Sequence, residues 1–359
     1  MKKTLVALAA LAATSAFAQS SATIDGVVNY GVANSVAKQA TVGGWKGDRN
    51  ALNFKVTEDQ GGGNKFSFMA QMRFDSANGG NKSNYGNSAT GNVGDVMFEQ
   101  TKFTVDTGSY GQLALGRFTN AQGVADLHPF EDAAQTTSPH QAINGRHSGQ
   151  IQYTTPSFMG AKVWALGAKA SSNKYLGAGD GAGYLLATDL SAANLSTSKN
   201  PDAMHRDLSA VGVDYANGPI YVHVNSMTDL TNTKSTKVGA TYTHSAFKLY
   251  VNQYNQKDNL AFSATAATGT GLAAHKATEF AAKVPYGQFN FIYGHLAANQ
   301  DVKLATTDGS TKVSKNAYGV TYDITKRTQL QAFASNTQKG DGTFFKNGHN
   351  SFFGMQHSF

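Results

Sequence analysis

Charged side chains gather around one long segment of the chain, residues 118–145, which shows no regular period. Arg117 directly precedes this segment, Asp126, Glu131 and Asp132 lie inside it, and Arg146 directly follows it. Acids and bases this close in sequence can transfer protons, bind a metal ion, or create an electric field between facing charges of opposite sign. The remaining sequence must indicate which of these three kinds of chemistry applies.

Motifs for catalysis or metal binding do not accompany these charges. The sequence has 359 residues, no cysteine, and no G-x-S-x-G nucleophile motif. Its 10 histidines are scattered, and no cluster has the spacing of zinc ligands. The stretches GGWKGDRN and EDQGGG lack the G-x-x-x-x-G-K-[ST] pattern of a phosphate-binding loop. We therefore predict no catalytic residue, no metal site and no cofactor, and an enzyme is the less favoured alternative.

The first 18 residues have the three parts of a secretory signal peptide. They begin with two lysines, continue with an apolar run at 5–13, and end in the small-x-small cleavage site AFA. The apolar run is too short to cross a bilayer as a helix. We predict that residues 1–18 are removed before Gln19, leaving a single exported domain, 19–359.

The composition of the exported part narrows the possible partners. Without the two lysines of the signal peptide, 28 Lys and Arg residues face 23 Asp and Glu residues, for a net charge of about +5. The basic residues are scattered and form no arm or patch, so we predict no nucleic-acid partner. No later stretch is apolar enough for a membrane helix, so a membrane-embedded form would have to be a closed barrel.

Apolar and polar residues alternate with period two along most of the chain. In NKFSFMAQMRF the aromatic residues Phe66, Phe68 and Phe74 share one face, whereas Lys65, Gln71 and Arg73 share the other. The preceding stretch LNFKVT alternates in the same way and is separated from it by the turn EDQGGG. This pattern predicts a β-hairpin with one apolar and one polar face.

Short turns and longer polar stretches alternate regularly between the predicted strands. We count seven short turns and eight long loops, which predict 16 strands of roughly ten residues each. The long loops are predicted at 34–48, 75–93, 118–145, 171–205, 228–235, 257–276, 298–313 and 339–349. This arrangement is typical of an all-β, antiparallel up-and-down barrel with turns on one rim and loops on the other. A soluble β-sandwich or β-helix also alternates, but the regular connections and the terminal strand FFGMQHSF favour the barrel.

In a transmembrane barrel the apolar face meets lipid and the polar face lines the lumen. Lys55, Lys65, Gln71 and Arg73 are then predicted to line the lumen, because they share the polar face of the first hairpin. A barrel of 16 strands is wide enough for an aqueous channel.

The sequence resembles the general porins of Gram-negative outer membranes, most closely the betaproteobacterial group. The resemblance is carried by SATIDGVVNYGVA, LNFKVTEDQGGGNKFSF, YGQLALGRF, IQYTTPSFMGAKV, ITKRTQLQAFAS and FFGMQHSF, which span almost all of residues 20–359. It implies a 16-stranded barrel, a homotrimer in outer-membrane lipid and lipopolysaccharide, and passive diffusion of small hydrophilic solutes and ions. It also implies a third loop folded into the lumen.

The resemblance assigns residues 118–145 to this third loop and so gives the charges a role. Asp126, Glu131 and Asp132 would face a wall of basic residues across a constriction and create a transverse field. The basic candidates are Arg49, Arg73, Lys102, Arg117 and Arg146. Arg49 and Lys102 each stand two residues from the usual family position, and Arg146 matches a position at the return from the third loop. Within a strand, Arg117 would share the lipid-facing side with two apolar residues, so we expect it to lie past the end of its strand.

Two further expectations follow from the resemblance and the charges. The terminal aromatic Phe359 is expected to be read by the outer-membrane assembly machinery, although it also fits an interfacial aromatic girdle. Five bases against three acids, with the net charge of about +5, predict a mild preference for anions. A substrate-specific channel for sugars or organic anions, and a plugged barrel, are the remaining alternatives.

Overall fold

The computed structural model describes residues 20–34, 40–43, 50–74, 76, 98–119, 129–130, 146–168, 207–228, 234–257, 271–304, 307–338 and 348–359. The strands in these ranges are β1 (Ser20–Asn34), β2 (Ala40–Gly43), β3 (Ala51–Gly61), β4 (Asn64–Arg73), β5 (Gln100–Asp106), β6 (Gln112–Thr119), β7 (Arg146–Thr154), β8 (Ala161–Ala168), β9 (Leu208–Asn217), β10 (Ile220–Thr228), β11 (Lys234–His244), β12 (Phe247–Lys257), β13 (Gly271–Tyr286), β14 (Phe289–Leu304), β15 (Thr307–Asp323), β16 (Thr328–Gln338) and β17 (Gly348–Ser358). The described residues contain no helix that is long and apolar enough to cross a membrane.

The strands form one closed antiparallel ring. From β3 onwards each strand pairs with its neighbours in sequence, and β1 pairs with β17 to close the sheet. β2 pairs with residues 31–34 of β1 and β3 pairs with residues 20–27 of the same strand, so β2 and β3 are two pieces of one barrel strand. The barrel therefore has 16 strands, and the predicted fold class is confirmed.

The seven predicted short turns are all present, on one rim of the barrel. They lie between β3 and β4, β5 and β6, β7 and β8, β9 and β10, β11 and β12, β13 and β14, and β15 and β16. Four of them contain only two residues. In two of these four turns the glycines, Gly218 and Gly287, have φ of 57° and 58°. Glycine adopts this left-handed conformation without steric cost, which is why it stands in these tight hairpins.

One predicted long loop, 298–313, is wrong. β14 continues to Leu304 and β15 begins at Thr307, and the two strands stay paired to their tips. The polar residues of this stretch suggested a loop, but backbone pairing does not require apolar side chains. A hairpin can therefore continue beyond the zone in which alternate residues are apolar. A short strand, β2, likewise lies inside the predicted loop 34–48.

The two faces of the barrel are inverted relative to a soluble protein. Large apolar side chains such as Phe103, Val105, Phe291 and Tyr318 are exposed on the outer face. The inner face carries buried polar residues, which include Asn252, Glu279, Lys315 and Gln331. This is the distribution expected when the outer face meets lipid and the inner face lines an aqueous lumen.

The seam between β1 and β17 extends to the last residue. Phe359 and Gly26 exchange two backbone hydrogen bonds of 3.1 Å each. A Cβ on Gly26 would lie 2.7 Å from the Phe359 ring, so the absence of a side chain at Gly26 allows the ring to lie there. Phe359 is thus part of the barrel seam.

Candidate functional site

The ring of Phe130, from the third loop, is buried against the inner wall of the barrel. Phe130 is only 1% exposed and packs with residues from five adjacent strands, β12 to β16. We call these residues the Phe130 socket: Tyr250, Ala281, Ile292, Gly294, Ala317 and Phe333. A Cβ added to Gly294 would lie 2.5 Å from an atom of the Phe130 ring, so the ring occupies the space above this glycine.

The socket lies on the far side of the barrel from the strand that leads into the third loop. β6 ends at Thr119, and β6 and β14 are 8 strands apart in either direction around the ring. Phe130 therefore lies against the wall opposite the strand at which the third loop begins. The prediction that the third loop folds inward is confirmed by this contact.

On the side of the barrel where the third loop begins, a row of hydrogen bonds joins polar side chains across four strands. Asn53 Nδ2 donates to Asp25 Oδ1 at 2.7 Å, and Gln71 Nε2 donates to Asn53 Oδ1 at 2.8 Å. Gln100 Nε2 donates to Gln71 Oε1 at 2.6 Å, and its own Oε1 accepts from the Thr119 backbone at 2.7 Å. Because each side chain lies opposite the next in the strand register, the row fixes a polar inner surface from β1 to β6.

Two of the predicted lumen bases are paired with acids on this wall. Lys55 Nζ lies 2.6 Å from Asp25 Oδ2, and both side chains remain partly exposed. Arg73 Nε lies 2.5 Å from Glu99 Oε2, and the exposed fractions of these side chains are only 6% and 1%. The sequence analysis singled out neither acid, since their pairing depends on the strand register and on the chain path before β5.

Lys102 has a different environment. Its Nζ lies 5.2 Å from the centre of the Phe118 ring, within range of a cation–π interaction. Among the described residues, no carboxylate oxygen lies within 4 Å of this ammonium group. Lys102 is therefore a half-buried, inward-facing base whose charge the described wall does not neutralise with an acid.

We had expected Arg117 to lie past the end of its strand, but it lies within β6. β6 continues to Thr119, and a register shift against β7 occurs between Gly116 and Phe118. Gly116 has a φ of 127°, which a residue with a side chain rarely adopts. Beside this bulge the Arg117 Nε donates a hydrogen bond of 3.2 Å to the backbone oxygen of Glu99, so Arg117 helps to hold the segment before β5.

Several predicted site residues lie outside the described part of the chain. These are Arg49 and the three acids of the third loop, Asp126, Glu131 and Asp132. For Arg146 only the backbone is described, and it begins β7 opposite Thr119. Lys65 lies near the short-turn rim, paired in register with Asp59 and Asp106.

A second row of inward-facing polar residues, on the opposite half of the wall, was missed by the sequence analysis. It crosses β9 to β15 in strict register and consists of Asp214, His223, Asn252, Glu279 and Lys315, with Gly239 and Leu296 between them. Glu279 and Lys315, which carry opposite charges, lie on either side of Leu296 in this row. Strand parity could have placed each residue inside the barrel, but only the register shows that they form one row.

Comparison with known proteins identifies the family. The family model described as Gram-negative porin matches residues 4–342, which is almost the whole chain. The chain belongs to the Gram-negative porin family. Porins are channels of the outer membrane and are not enzymes, so this porin resides in the outer membrane and forms a water-filled channel for the passive diffusion of small hydrophilic solutes and ions.

Individual relatives agree with this family. An outer membrane porin protein of Bordetella pertussis is 25% identical over 392 aligned positions, covering 93% of this porin and 94% of the relative. Outer membrane porin protein 32 of Delftia acidovorans is 28% identical over 60% of this chain and 66% of its own length. Among solved structures, an anion-selective porin from Comamonas acidovorans has a TM-score of 0.63 at 18% identity, covering 95% of this chain and 100% of its own. The outer-membrane protein OmpT of Vibrio cholerae also has a TM-score of 0.63, at 12% identity over 95% and 98% of the two chains. The two structures show the same fold.

Proposed function

We propose that this porin is mildly selective for anions and that its constriction lies between the third loop and the basic wall of β3 to β7. The observation that carries the proposal is Lys102, whose ammonium group faces inward over the Phe118 ring without a carboxylate partner among the described residues. A fixed positive charge at a narrow point attracts anions and repels cations.

The distribution of the other charges supports this sign. On the same wall the acids Asp25 and Glu99 are each paired with a base, Lys55 and Arg73. These two pairs carry no net charge, so they do not offset the positive charge of Lys102. Exposed charges farther away than a Debye length, about 8 Å at physiological salt, add little.

The third loop would supply the opposing acids. Glu131 and Asp132 follow directly after Phe130, and Asp126 precedes it by four residues. Since Phe130 is held on the far wall, we propose that these three carboxylates face the aperture opposite Arg49, Arg73, Lys102, Arg117 and Arg146. Acids and bases on facing sides would orient dipolar solutes as they pass.

We also propose that the functional unit is a homotrimer in contact with outer-membrane lipid and lipopolysaccharide. The proposal includes removal of residues 1–18 as a signal peptide, a mature barrel domain over 19–359, and reading of Phe359 by the assembly machinery. The trimer is supported by the family, whose members form trimers in the outer membrane, whereas the signal peptide and the role of Phe359 are proposed from the sequence. One of the structurally similar porins, from Comamonas acidovorans, is described as anion-selective, which agrees with the proposed sign.

Single-channel recording in a planar bilayer with a KCl gradient tests both the selectivity and the trimer. We expect a reversal potential whose sign shows a preference for anions, and we expect the channels to close in groups of three. Lys102→Gln should move the reversal potential towards cations, whereas Lys102→Arg should retain the wild-type value. Lys326→Gln, in an exposed turn, is the control for removal of a lysine away from the lumen and should cause a smaller shift. A reversal potential that is unaffected by Lys102→Gln would contradict the assignment.

A further inference from the structure

Gly294 lies in the middle of β14, and its backbone conformation does not require a glycine. It does not have one of the left-handed φ angles that require glycine elsewhere in the described residues. Glycine in the interior of a strand weakens the strand and often marks a close approach by another group. At Gly294 that group is the ring of Phe130, which lies 2.5 Å from the position that a Cβ would occupy.

The neighbours of Gly294 deepen the space for the ring. Ala281 and Ala317 lie opposite Gly294 on the two adjacent strands, so three small residues stand side by side. Larger side chains border this hollow, since Tyr250, Ile292 and Phe333 also belong to the socket. The Phe130 ring fills the hollow and lies in one buried apolar cluster with residues from five strands.

At other inward-facing glycines of the described wall, the space beside the glycine is filled by a different kind of neighbour. At Gly212 the space is taken by the ring of Trp164, and at Gly319 it is taken by the ring of Phe333. Both rings belong to adjacent strands of the barrel itself. Gly294 differs because the ring above it comes from the segment between β6 and β7, on the opposite side of the barrel from β14.

We propose that Phe130 and Gly294 form an anchor that fixes the third loop to the far wall and thereby sets the size limit of the pore. This proposal rests on the third loop being the constriction proposed above. Burial of a whole phenylalanine side chain is strong enough to favour the docked loop by a factor of roughly 100 or more. Phe130 and Gly294 are positioning residues, since they act through the segment on either side of Phe130.

Changes on the two sides of the anchor should have the same effect. Phe130→Ala removes the ring, and Gly294→Ala places a methyl group where the ring now lies. Both variants should admit larger neutral sugars in a liposome-swelling assay and should increase the noise of the open channel. Phe130→Leu should have a weaker effect, which keeps the test decisive if the alanine variant fails to fold.

The paired variant separates an anchor from a general packing defect. Leucine lacks the ring atom nearest to Gly294, so Phe130→Leu should relieve part of the clash that Gly294→Ala creates. The double variant should therefore lie closer to wild type in size limit than Gly294→Ala alone. Gly212→Ala is the matched control, because its Cβ would lie 2.3 Å from the Trp164 ring, and its nearest atoms belong to residues of β8 and β10. It should leave the size limit unchanged.

Two results would overturn the anchor. One is a wild-type size limit and wild-type noise in both Phe130→Ala and Gly294→Ala, with folding verified by heat-modifiable migration on gels. The other is the same change in Gly212→Ala as in Gly294→Ala. Asp126→Asn combined with Glu131→Gln distinguishes the cause of a failure. If these acid changes shift ion selectivity while the anchor variants keep the wild-type size limit and noise, the third loop is the constriction but the anchor is wrong. If neither set of variants changes these properties, the third loop is not the constriction.

Discussion

Arg73 and Lys102 both face inward, but their charges have different surroundings. Arg73 is buried and lies 2.5 Å from the Glu99 carboxylate, so its charge is compensated. Lys102 lies over an aromatic ring and has no such acid among the described residues. The position of a base on the correct face is therefore not enough to assign it to ion selectivity, because its nearest neighbours decide how much field it contributes to the lumen.

Glu99→Gln should affect both stability and selectivity. The change leaves the buried Arg73 guanidinium without its carboxylate, which typically costs about 3–5 kcal/mol. It also removes a negative charge, so anion preference should rise. Urea unfolding in detergent and the reversal potential would measure the two effects. Arg73→Gln combined with Glu99→Gln is the control, and it should be more stable than Glu99→Gln alone; equal stabilities would show that the pair contributes little.

Changes in the third loop and at the start of β7 should have opposite effects on anion preference. Arg146→Ala removes a proposed basic group and should lower anion preference. Asp126→Asn with Glu131→Gln removes two proposed opposing acids and should raise it. Both can be measured as reversal potentials under one KCl gradient. A shift of the same sign in the two variants would be incompatible with acids and bases on facing sides of one aperture.

At the scale of strands, the sequence predicted the number of barrel strands, their alternation and the seven short turns, because each depends on local patterns. The ion pairs of Arg73 and Lys55 could not be predicted in this way. The Lys55 pair depends on the register between neighbouring strands, in which a shift of one residue would reverse the faces. The Arg73 pair depends in addition on the chain path just before β5. The same limit explains why Phe130 was missed: a lone aromatic in an irregular segment gives no periodic signal, and its socket is assembled from five strands.

The seam between β1 and β17 gives a prediction that separates two roles of Phe359. Gly26→Ala would bring a methyl group within 2.5 Å of the Ala51 oxygen and 2.7 Å of the Phe359 ring, and such overpacking typically costs about 1–3 kcal/mol. It should lower refolding yield into detergent micelles and outer-membrane yield in cells to a similar degree.

Phe359→Ala should behave differently if the assembly machinery reads the terminal aromatic. It should reduce the outer-membrane yield in cells more than the refolding yield in micelles. Quantitative immunoblots of membrane fractions, compared with refolding gels of the same variants, would measure both. If Phe359→Ala and Gly26→Ala gave the same ratio of the two yields, the role of Phe359 would be restricted to the seam.

For the whole barrel, charge selectivity should depend on ionic strength. The Debye length falls from about 10 Å at 0.1 M salt to about 3 Å at 1 M. The field of Lys102 and its neighbours should therefore reach less of the lumen at high salt, and anion preference should weaken. Reversal potentials at a fixed concentration ratio, measured at both salt levels, would test this. A preference that does not change with salt would indicate selection by close contact instead of by the field.

The order of the strands also has a consequence for how the barrel forms. From β3 onwards every neighbouring pair is joined by a connection along the chain, so these hairpins can form one after another from contacts close in sequence. The contact between β1 and β17 alone joins opposite ends of the described chain, and Gly26 and Phe359 complete it. Its loop-closure entropy cannot be offset until the sheet has curled through a full circle. Ring closure is therefore expected to be the slow, late step of folding, and a partly folded chain would expose two unpaired strand edges until that step is complete.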